Sequence, residues 1–534
     1  MELAKEIIIA LTKEKAVSPD VLSSLKRRYS KRKSAKMIPN SQLLEAYHTL
    51  IKDKRIKPNP EIEEVLRIRK IRSLSGIIIV SALTKPFPCP GKCIFCPSQS
   101  KVPKSYLKEE PAVARAIMMG YRPFQQVQAR IKALEAIGHP TDKIDLRIIG
   151  GTWSFYPKNY QNWFIKECLR GANEYNEKCK TKNEKRQLKI KKLENVQKQN
   201  EQAKHRIIGI TIETRPDFID EKEIKRLREL GITRVELGIQ SIYNNILKIN
   251  KRGHNIDAAI KATRLLKDAG FKICFQMMPN LLGSDPNKDV KMFKELFSNP
   301  DFRPDYLKIY PCALLKEAPL YNIWEKQGYQ PYTEKQLLEI IIAIKKTVPY
   351  YCRIQRIVRD IPSQYVVQGG TKTSNLRQMI MVIAKQQRWR CKCIRCREVK
   401  GQYNPKEKIY LFRSDYEASK GKEIFLSFEN KDRTRLHSLL RLRIPGQVVL
   451  PVLKDSGIVR ELHTYGKLVP VSQKTNAPQH RGLGKKLMQE AEKIVQKEFG
   501  LKNIIVISGV GVRDYYKTLG YSLKNTYMIK RLKM

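Results

Sequence analysis

The chain has 534 residues, of which 41% are hydrophobic, and this length predicts two or three domains rather than one. No uninterrupted apolar run is long enough to span a bilayer, which argues against an integral membrane protein. The formal net charge is +52, from 104 Lys and Arg against 52 Asp and Glu, which predicts a polyanionic partner. A thermophile-like composition would explain the many lysines but not their twofold excess over acid, and binding to a membrane surface would need a basic amphipathic helix.

The cysteines and the start of the chain indicate the compartment. Six of the eleven cysteines fall in two tight clusters, which favours metal ligation in a reducing compartment over disulfide bonds. Residues 1–12 include Glu2 and Glu6 and have the pattern of a helix rather than that of a signal peptide. We therefore expect a cytoplasmic protein.

Residues 1–75 form a strongly basic region with a helical pattern. Residues 26–36 hold seven cations in eleven positions, and residues 67–72 are a second basic run. A charge run is often only a solvated surface, but two such runs in a basic protein favour contact with a nucleic-acid backbone. The predicted contact residues are Lys26, Arg27, Arg28, Lys31, Arg32 and Lys33.

The most specific motif of the chain is a short loop with three cysteines, Cys89, Cys93 and Cys96, in the spacing Cys-x3-Cys-x2-Cys. Three thiolates can hold a four-iron cubane and leave one iron open to a small molecule. A structural zinc knuckle is the alternative, and it would need a fourth ligand. The motif resembles that of the radical S-adenosylmethionine (radical SAM) enzymes. That resemblance implies a [4Fe-4S] cluster, S-adenosylmethionine bound at the open iron, and a 5′-deoxyadenosyl radical.

From residue 76 to residue 375 short β-branched runs alternate with helical stretches that have charged faces. Repeated β–α units predict a parallel sheet with functional loops at the carboxyl ends of its strands. Six strands fit a partial (β/α)6 barrel, the usual radical SAM architecture. Gly150 and Gly151 follow the second strand, where paired glycines let the backbone approach a ligand closely. The resemblance implies that they contact the methionine part of S-adenosylmethionine, and an ordinary tight turn is the alternative. The six strands are predicted at 76–82, 144–150, 207–212, 234–239, 272–277 and 306–310.

A second cysteine cluster, Cys391, Cys393 and Cys396, lies in a linker at 376–404. Its spacing, Cys-x-Cys-x2-Cys, is too tight for the radical motif but suits three zinc ligands. The fourth ligand is open, and Cys312, Cys352 or a histidine would have to supply it through space. Free thiols without a metal are the alternative, because spacing alone does not prove a site.

Residues 405–534 change to hairpin-like strands followed by a helix, which predicts a mixed α/β domain. A turn with spaced glycines feeds this helix and places backbone N–H groups where a pyrophosphate can bind. The turn and the strand order resemble the acetyl-coenzyme A (acetyl-CoA) domain of the GNAT acetyltransferases. Tyr516, one strand later, has the place of that fold's general acid. The turn contains Gln479, Gly482, Leu483, Gly484 and Lys485.

A radical SAM domain ahead of a GNAT domain resembles the catalytic subunits of the Elongator complex, and the resemblance covers the chain from about residue 20 to its end. It implies carboxymethylation of C-5 of the wobble uridine in tRNA, with the acetyl group of acetyl-CoA as the carbon source. A single-stranded anticodon loop can present the base unstacked. The short first cysteine gap and the second cysteine cluster are typical of the prokaryotic or archaeal stand-alone members. Further motifs of this family lie at 150–153, 212–217, 236–241, 359–362 and 508–516.

The resemblance also implies roles for single residues. Lys143 would contact acetyl-CoA from the radical SAM domain, and Tyr516 would lie near the thioester, so both are candidate catalytic residues. Residues 483–485 would bind the pyrophosphate. The strand along the pantetheine would be Glu461, Leu462, His463 and Thr464.

Two other functions stay open at this point. A protein lysine acetyltransferase with a structural cluster would not need the net charge of +52 or the intact cysteine triad. A non-enzymatic tRNA-binding scaffold would not need two complete cofactor motifs. The favoured function needs tRNA, acetyl-CoA and an electron donor as partners, and we expect a monomer or a homodimer.

Overall fold

A computed structural model describes residues 1–33, 37–68, 73–175, 192–370, 376–400, 404, 406–466 and 482–532. Within these ranges, no helix is both long and apolar enough to cross a membrane. The chain forms an N-terminal group of helices, a parallel sheet with flanking helices, and a mixed C-terminal sheet.

The N-terminal helices pack around an apolar core of their own. The helix Pro19–Arg32 begins after Ser18, whose side chain accepts a hydrogen bond from the backbone N–H of Val21, and Pro19 occupies its first turn. Both features are typical of helix starts. Leu22 and Leu25 of this helix are buried, so its cations lie towards solvent. The four helices are Glu2–Thr12, Pro19–Arg32, Asn40–Lys52 and Pro60–Leu66.

Seven parallel strands form the first sheet. They are β1 Ile78–Leu83, β2 Lys143–Ile149, β3 Arg206–Thr214, β4 Arg234–Gln240, β5 Lys272–Met277, β6 Tyr306–Ile309 and β8 Arg353–Ile357. Their order in the sheet is β1-β2-β3-β4-β5-β6-β8. The six predicted strands are all present within a few residues of their expected bounds, so the α/β half barrel is confirmed. Most of their β-branched residues are buried, as expected for parallel strands covered by helices, and Ile79 of the edge strand β1 is exposed.

Strand β8 is a seventh strand of this sheet that the sequence pattern did not predict. Its sequence, Arg-Ile-Gln-Arg-Ile, lacks the continuous apolar run of the other strands, and its parallel pairing with β6 stabilises it as a strand. Strand β8 forms one edge of the sheet and β1 forms the other. The half barrel is therefore open between β1 and β8.

Helices and one short strand pair complete this part of the chain. The pair is antiparallel and consists of β7 Leu314–Leu315 and β9 Val366–Gln368. The helices are Pro111–Met118, Pro123–Glu135, Lys158–Asn173, Leu193–Asn200, Glu221–Glu229, Asn244–Ile249, Ile256–Asp268, Pro286–Ser298, Leu320–Glu325, Glu334–Thr347, Leu376–Gln386 and Ile394–Arg397.

The C-terminal sheet also has seven strands. They are β10 Tyr410–Ala418, β11 Gly421–Glu429, β12 Leu436–Ile444, β13 Ser456–Thr464, β14 Asn503–Val506, β15 Ser522–Lys524 and β16 Tyr527–Arg531. Their order is β10-β11-β12-β13-β14-β16-β15. Strands β13 and β14 pair in parallel over 456–459 of β13, so the rest of β13 extends beyond this pairing. The other strand pairs of this sheet are antiparallel. Two helices, Leu483–Lys497 and Arg513–Lys517, belong to the same unit.

The C-terminal sheet packs against the amino ends of the barrel strands. Buried arginines of β12 and β13 reach carboxylates of the barrel: Arg460 donates to Asp305 at 3.0 Å, and Arg443 donates to Asp268 at 2.8 Å. Glu423 of β11 accepts from both arginines, at 2.8 and 3.0 Å. Because a buried charge is costly without a partner, these pairs restrict how the two sheets can dock.

At the same interface, the backbone near residue 510 packs closely against the backbone of β3. A Cβ atom on Gly509 would lie 2.0 Å from the carbonyl oxygen of Ile208, and one on Gly511 would lie 2.9 Å from the backbone nitrogen of Ile207. The apolar core is also continuous across the interface, since Phe425 and Ile458 belong to the same buried cluster as the barrel strands. The two sheets therefore behave as one packed body.

We predict that Arg460→Met destabilises the protein by about 3–5 kcal/mol, because it leaves Asp305 and Glu423 buried beside one cation fewer. The matched control is Arg413→Met, which removes an exposed pair with Glu498 and should cost at most about 1 kcal/mol. Urea unfolding followed by tryptophan fluorescence measures both changes. Equal losses for the two variants would contradict a role for the Arg460 pair in docking.

Candidate active site between the two sheets

The cysteine loop follows β1 at the carboxyl ends of the barrel strands. Backbone hydrogen bonds anchor it, since the N–H of Ile94 donates to the carbonyl of Asn250 at 3.3 Å and the carbonyl of Ile94 accepts from Leu320 at 2.8 Å. The Nη1 group of Arg252 donates to the sulfur of Cys93 at 3.4 Å. Cys93 is buried, while Cys89 and Cys96 are partly exposed. The loop thus presents three thiols to one cavity.

The thiols of the cysteine loop are spaced more widely than those of the second cysteine cluster. Within the described ranges, three ligand atoms within 4.8 Å of one another occur in the second cysteine cluster but not at Cys89, Cys93 and Cys96. A single zinc ion needs such close thiolates, whereas a cubane binds each thiolate through a different iron. Burial raises the pKa of the Cys96 thiol to about 11, and charge on Cys93 acts in the same direction. Binding as a thiolate therefore requires compensating positive charge, which cluster iron would supply.

Gly150 and Gly151 line the same cavity, whose volume is about 420 Å³. Gly150 has a φ of +136°, and a Cβ atom there would lie 2.0 Å from the hydroxyl oxygen of Thr84. A side chain is thus excluded at Gly150 by its packing against Thr84, and the predicted contact with S-adenosylmethionine stays a prediction. At Gly151 the nearest atom to a Cβ would be the hydroxyl oxygen of Tyr156 at 3.5 Å, which is an ordinary van der Waals distance.

A polar network that sequence reasoning missed lies below the cysteine loop. Glu213 accepts hydrogen bonds from Lys308 at 3.0 Å, from Gln276 at 3.1 Å and from Tyr106 at 3.1 Å. Lys308 also pairs with Glu236. Burial favours the neutral form of Glu236, but the combined charges of Lys308, Arg234 and Arg147 outweigh it and lower the carboxyl pKa to about 2. The sequence feature that could have identified this network is the occurrence of polar residues at alternate positions of otherwise apolar strands.

A second and larger cavity, of about 1680 Å³, lies at the amino ends of the barrel strands and against the C-terminal sheet. Glu461, Leu462 and His463 of β13 line it, as predicted residues of the acetyl-CoA strand. Most of its charged lining residues are cations, which suits a polyanionic ligand. These cations include Arg130, Lys345, Arg353, Arg377, Lys385, Arg388, Lys392, Arg395 and Lys400.

The two cavities are neighbours. Four residues line both of them, namely Ser81, Arg115, Arg147 and Gln355. Ser81 and Gln355 belong to the edge strands β1 and β8, and Arg147 belongs to β2. The cavity at the cysteine loop and the cavity at the predicted acetyl-CoA strand therefore adjoin each other inside the half barrel.

The described part of the glycine turn lies next to β13. Gly482 has a φ of +70° and precedes the 15-residue helix Leu483–Lys497, whose first N–H groups lack partners within the helix. A Cβ atom on Gly484 would lie 3.7 Å from the Leu462 side chain and 3.9 Å from the Thr464 hydroxyl. Leu483 is buried, Lys485 is exposed, and the predicted Gln479 lies outside the described residues. This juxtaposition supports a pyrophosphate site at the helix start.

The two tyrosines after β14 differ in their surroundings. Tyr516 is buried in the core of the C-terminal sheet, and burial raises its pKa above the usual range, so it stays protonated as a general acid must. Tyr515 is 39% exposed, and its hydroxyl would lie 3.0 Å from a Cβ atom on Gly484. Tyr515 is therefore a second candidate that the sequence did not single out.

Lys143 is the first residue of β2, at the barrel end that faces the C-terminal sheet. It pairs in register with Arg206, which contacts the position of Gly511. Burial lowers the pKa of Lys143. The structure thus places Lys143 at the domain junction, but Lys143 is not among the residues that line the larger cavity, so its contact with acetyl-CoA stays a prediction.

Glu461 and His463 of β13 both have polar partners in the structure. Burial favours the neutral form of Glu461, but the charges of Arg441 and Lys272 outweigh it and lower the carboxyl pKa to about 2. Its carboxylate accepts from Arg441 at 2.7 Å and from the Tyr306 hydroxyl. His463 lies 2.8 Å from the carbonyl oxygen of Ser75, and burial lowers its pKa. The side chain of Glu461 therefore binds the two sheets to each other. Only the backbone groups of Glu461 are left to contact a ligand.

The second cysteine cluster is compact. The sulfurs of Cys391, Cys393 and Cys396 lie within 4.8 Å of one another, and the ammonium of Lys345 lies 3.6 Å from Cys396. Within the described residues, neither Cys312 nor Cys352 joins this group. Three convergent thiols fit a zinc ion with one further position to fill.

The predicted basic surface lies on the helix Pro19–Arg32 and just after it. Arg27, Arg28, Lys31, Arg32 and Lys33 are exposed. Lys26 differs, because its ammonium donates to Asn40 at 3.1 Å and burial lowers its pKa. Lys33 also pairs with Glu6 at 2.5 Å.

Comparison with known proteins identifies the parts of the chain. Residues 88–296 match the radical SAM superfamily, and residues 304–387 match the radical SAM C-terminal domain. A solved structure of the archaeal Methanocaldococcus infernus Elp3 with N-terminus deletion (1-46) superposes with a TM-score of 0.74 at 42% identity. It covers 86% of this chain and 100% of its own.

Curated relatives are similar over most of their length. The tRNA uridine(34) acetyltransferase of Methanocaldococcus infernus is 46% identical over 483 residues, which are 88% of this chain and 88% of that protein. Human Elongator complex protein 3 is 37% identical over 489 residues, or 88% of this chain and 86% of the relative. The chain therefore belongs to the family that comprises the tRNA uridine(34) acetyltransferases and Elongator complex protein 3.

Proposed function

We propose that this protein carboxymethylates C-5 of the wobble uridine in tRNA, using acetyl-CoA and S-adenosylmethionine. The relatives named tRNA uridine(34) acetyltransferase support the position and the acyl donor. The radical SAM match supports the radical step. The observation that most supports joint use of both halves is that the two cavities share four lining residues. A lysine acetyltransferase with a structural cluster would not need this connection.

Residues in different parts of the chain would have different roles in this reaction. Cys89, Cys93 and Cys96 would hold the cluster, and Gly150 and Gly151, which line the same cavity, would contact the methionine part of S-adenosylmethionine. When bound, these groups supply the one-electron chemistry that an unactivated methyl group and a vinylic carbon require. The helix start at Gly482 would bind the pyrophosphate of acetyl-CoA.

Other residues would position tRNA and stabilise the fold. The cations of the larger cavity and of the helix Pro19–Arg32 would neutralise tRNA phosphates, and the base would enter unstacked. Cys391, Cys393 and Cys396 would hold a zinc ion that fixes the linker between the sheets.

The central prediction is that anaerobically reconstituted protein converts U34 of tRNA into 5-carboxymethyluridine, as mass spectrometry of the nucleosides would show. Omission of reductant, S-adenosylmethionine or acetyl-CoA should each abolish the product. Cys96→Ala should remove iron and activity, but leave acetyl-CoA binding intact. Cys396→Ala is the matched control, since it should lower zinc content and leave iron in place. Full iron content in Cys96→Ala, or acetylated lysine as the sole product of the wild type, would overturn the proposal.

Reversal of Arg27, Arg28, Lys31 and Arg32 to Glu should weaken tRNA binding for every sequence, because phosphate contacts contain little sequence information. The slope of log K against log salt should fall by roughly 0.7–0.9 for each phosphate that the variant no longer neutralises. Lys26 is left in place because it bonds to Asn40. Reversal of the exposed Lys222, Lys225, Lys248 and Lys261 is the control for net charge. Equal effects of both reversals would mean that the helix Pro19–Arg32 is only a solvated surface.

Tyr516→Phe removes one hydroxyl and should lower acetyl-CoA turnover by about a hundredfold or more, with unchanged tRNA affinity. Tyr515→Phe is the matched variant and should have a small effect. Lys143→Ala should raise the KM for acetyl-CoA, although Lys143 lies in the other domain. Steady-state hydrolysis of acetyl-CoA with and without tRNA measures all three. A large loss in Tyr515→Phe with normal turnover in Tyr516→Phe would move the role to Tyr515.

A further inference from the structure

Two buried arginines lie against the cysteine loop. Arg215 follows strand β3 and Arg252 follows the helix Asn244–Ile249, and both line the cavity that the three cysteines line. Their exposed fractions are only 5% and 7%. Because a buried cation is costly without a partner, each of these guanidinium groups needs anionic groups or acceptors close to it.

Arg252 contacts one of the three thiols directly. Its Nη1 group donates to the sulfur of Cys93 at 3.4 Å, and its Nη2 group donates to the carbonyl oxygen of Gly238 at 2.5 Å. A Cβ atom on Gly238 would lie 2.8 Å from Nη2, so the absence of a side chain there lets the guanidinium lie against β4. These contacts fix Arg252 with one N–H group on the sulfur.

Arg215 is fixed by a different partner and keeps one group free. Its Nε and Nη2 groups donate to the two carboxylate oxygens of Asp217 at 2.9 and 2.8 Å. Its Nη1 group is buried and has no hydrogen-bond partner within the part of the chain that the structure describes. Buried donors in native proteins are nearly always satisfied. The Nη1 group is therefore available to an acceptor bound in the cavity.

Gly91 shows that this free group lies next to the thiols. A Cβ atom on Gly91 would lie 2.8 Å from Nη1 of Arg215, 3.5 Å from the sulfur of Cys93 and 3.6 Å from the sulfur of Cys89. One face of Gly91 is thus turned towards both sulfurs and the free Nη1 group together. Any side chain at this position would collide with the guanidinium, so the glycine lets the cation approach the thiols.

These contacts fit a cluster that must accept an electron. A [4Fe-4S] cluster on three thiolates has a net negative charge, and reduction makes that charge more negative. Net charge and hydrogen bonds to the sulfurs are among the properties that set the reduction potential of such clusters. We propose that Arg215 and Arg252 raise the reduction potential of the cluster on the cysteine loop, by placing positive charge and N–H donors beside its sulfurs. The inference rests on the proposed function and adds to it the residues that ease the transfer of an electron to the cluster.

The test is a redox titration of the anaerobically reconstituted full-length protein, without S-adenosylmethionine, acetyl-CoA or tRNA. Electron paramagnetic resonance follows the reduced cluster. Arg215→Gln should make the one-electron reduction about tenfold less favourable, which lowers the midpoint potential by about 59 mV. Arg252→Gln should shift the potential in the same direction. Arg215→Lys keeps the positive charge and should lie closer to the wild type.

The matched control is Arg226→Gln, which removes the same charge elsewhere. Arg226 lies on the helix Glu221–Glu229, donates to the side chain of Gln161, and is not among the described residues that line the two cavities. This variant should leave the midpoint potential almost unchanged. Iron content checks each variant, and Arg252→Gln serves as the test if Arg215→Gln does not retain the cluster.

Two results of the titration would overturn the inference. They are an unchanged midpoint potential in the variants that retain iron, and an equal shift in Arg226→Gln. Calorimetric titration with S-adenosylmethionine separates the other role that such cations could have, because weaker binding with an unchanged potential would assign the arginines to the carboxylate of that ligand. Failure of the proposed function is distinct, since it would be a wild-type protein whose cluster is reduced but that makes no 5-carboxymethyluridine.

Discussion

Arg441, Arg443 and Arg460 are almost fully buried between the two sheets, at 1%, 0% and 1% exposure, and each pairs with carboxylates there. A displaced arginine in this dry interface would lose its partner, which costs several kcal/mol. These paired charges therefore restrict how the two sheets can dock. The contact of Gly509 with the backbone of β3 leaves the arrangement no room to slide. The remaining features of the site depend on this docking.

The first consequence concerns β13. Arg460 and Glu461 hold the interface, and the next residues of the strand, Leu462 to Thr464, lie beside the glycine turn at Gly484. The strand that fastens the C-terminal sheet is therefore the strand that presents the predicted acetyl-CoA site to the barrel. The cysteine loop occupies the opposite end of the same barrel, and the two cavities adjoin where Ser81, Arg147 and Gln355 line both of them. This arrangement suits a reaction in which two bound cofactors act on one base while reactive intermediates are kept away from solvent.

Local sequence patterns predicted much of this molecule. The apolar β-branched runs identified six barrel strands because those residues are buried on both faces of a parallel sheet. Strand β8 escaped notice because Gln355 and its arginines face the polar interior, so the strand has no apolar run. The pattern singled out Tyr516 by position, whereas the exposed hydroxyl next to Gly484 belongs to Tyr515. Side-chain direction in a short helix depends on packing, which a motif does not specify.

By itself, the sequence determined the chemistry that is available. Three cysteines at short spacing, spaced glycines before a helix, and a large cationic excess are local or compositional properties, and they do not need a fold to be recognised. The tertiary structure alone decided which distant residues meet. It brought Lys143 to the end of the barrel that faces the C-terminal sheet, spaced the thiols of Cys89, Cys93 and Cys96 more widely than those of the second cysteine cluster, and placed Arg147 against Gln355. The physical reason is that these contacts join residues far apart in the chain, and only the packing of strands and buried charges fixes such distances.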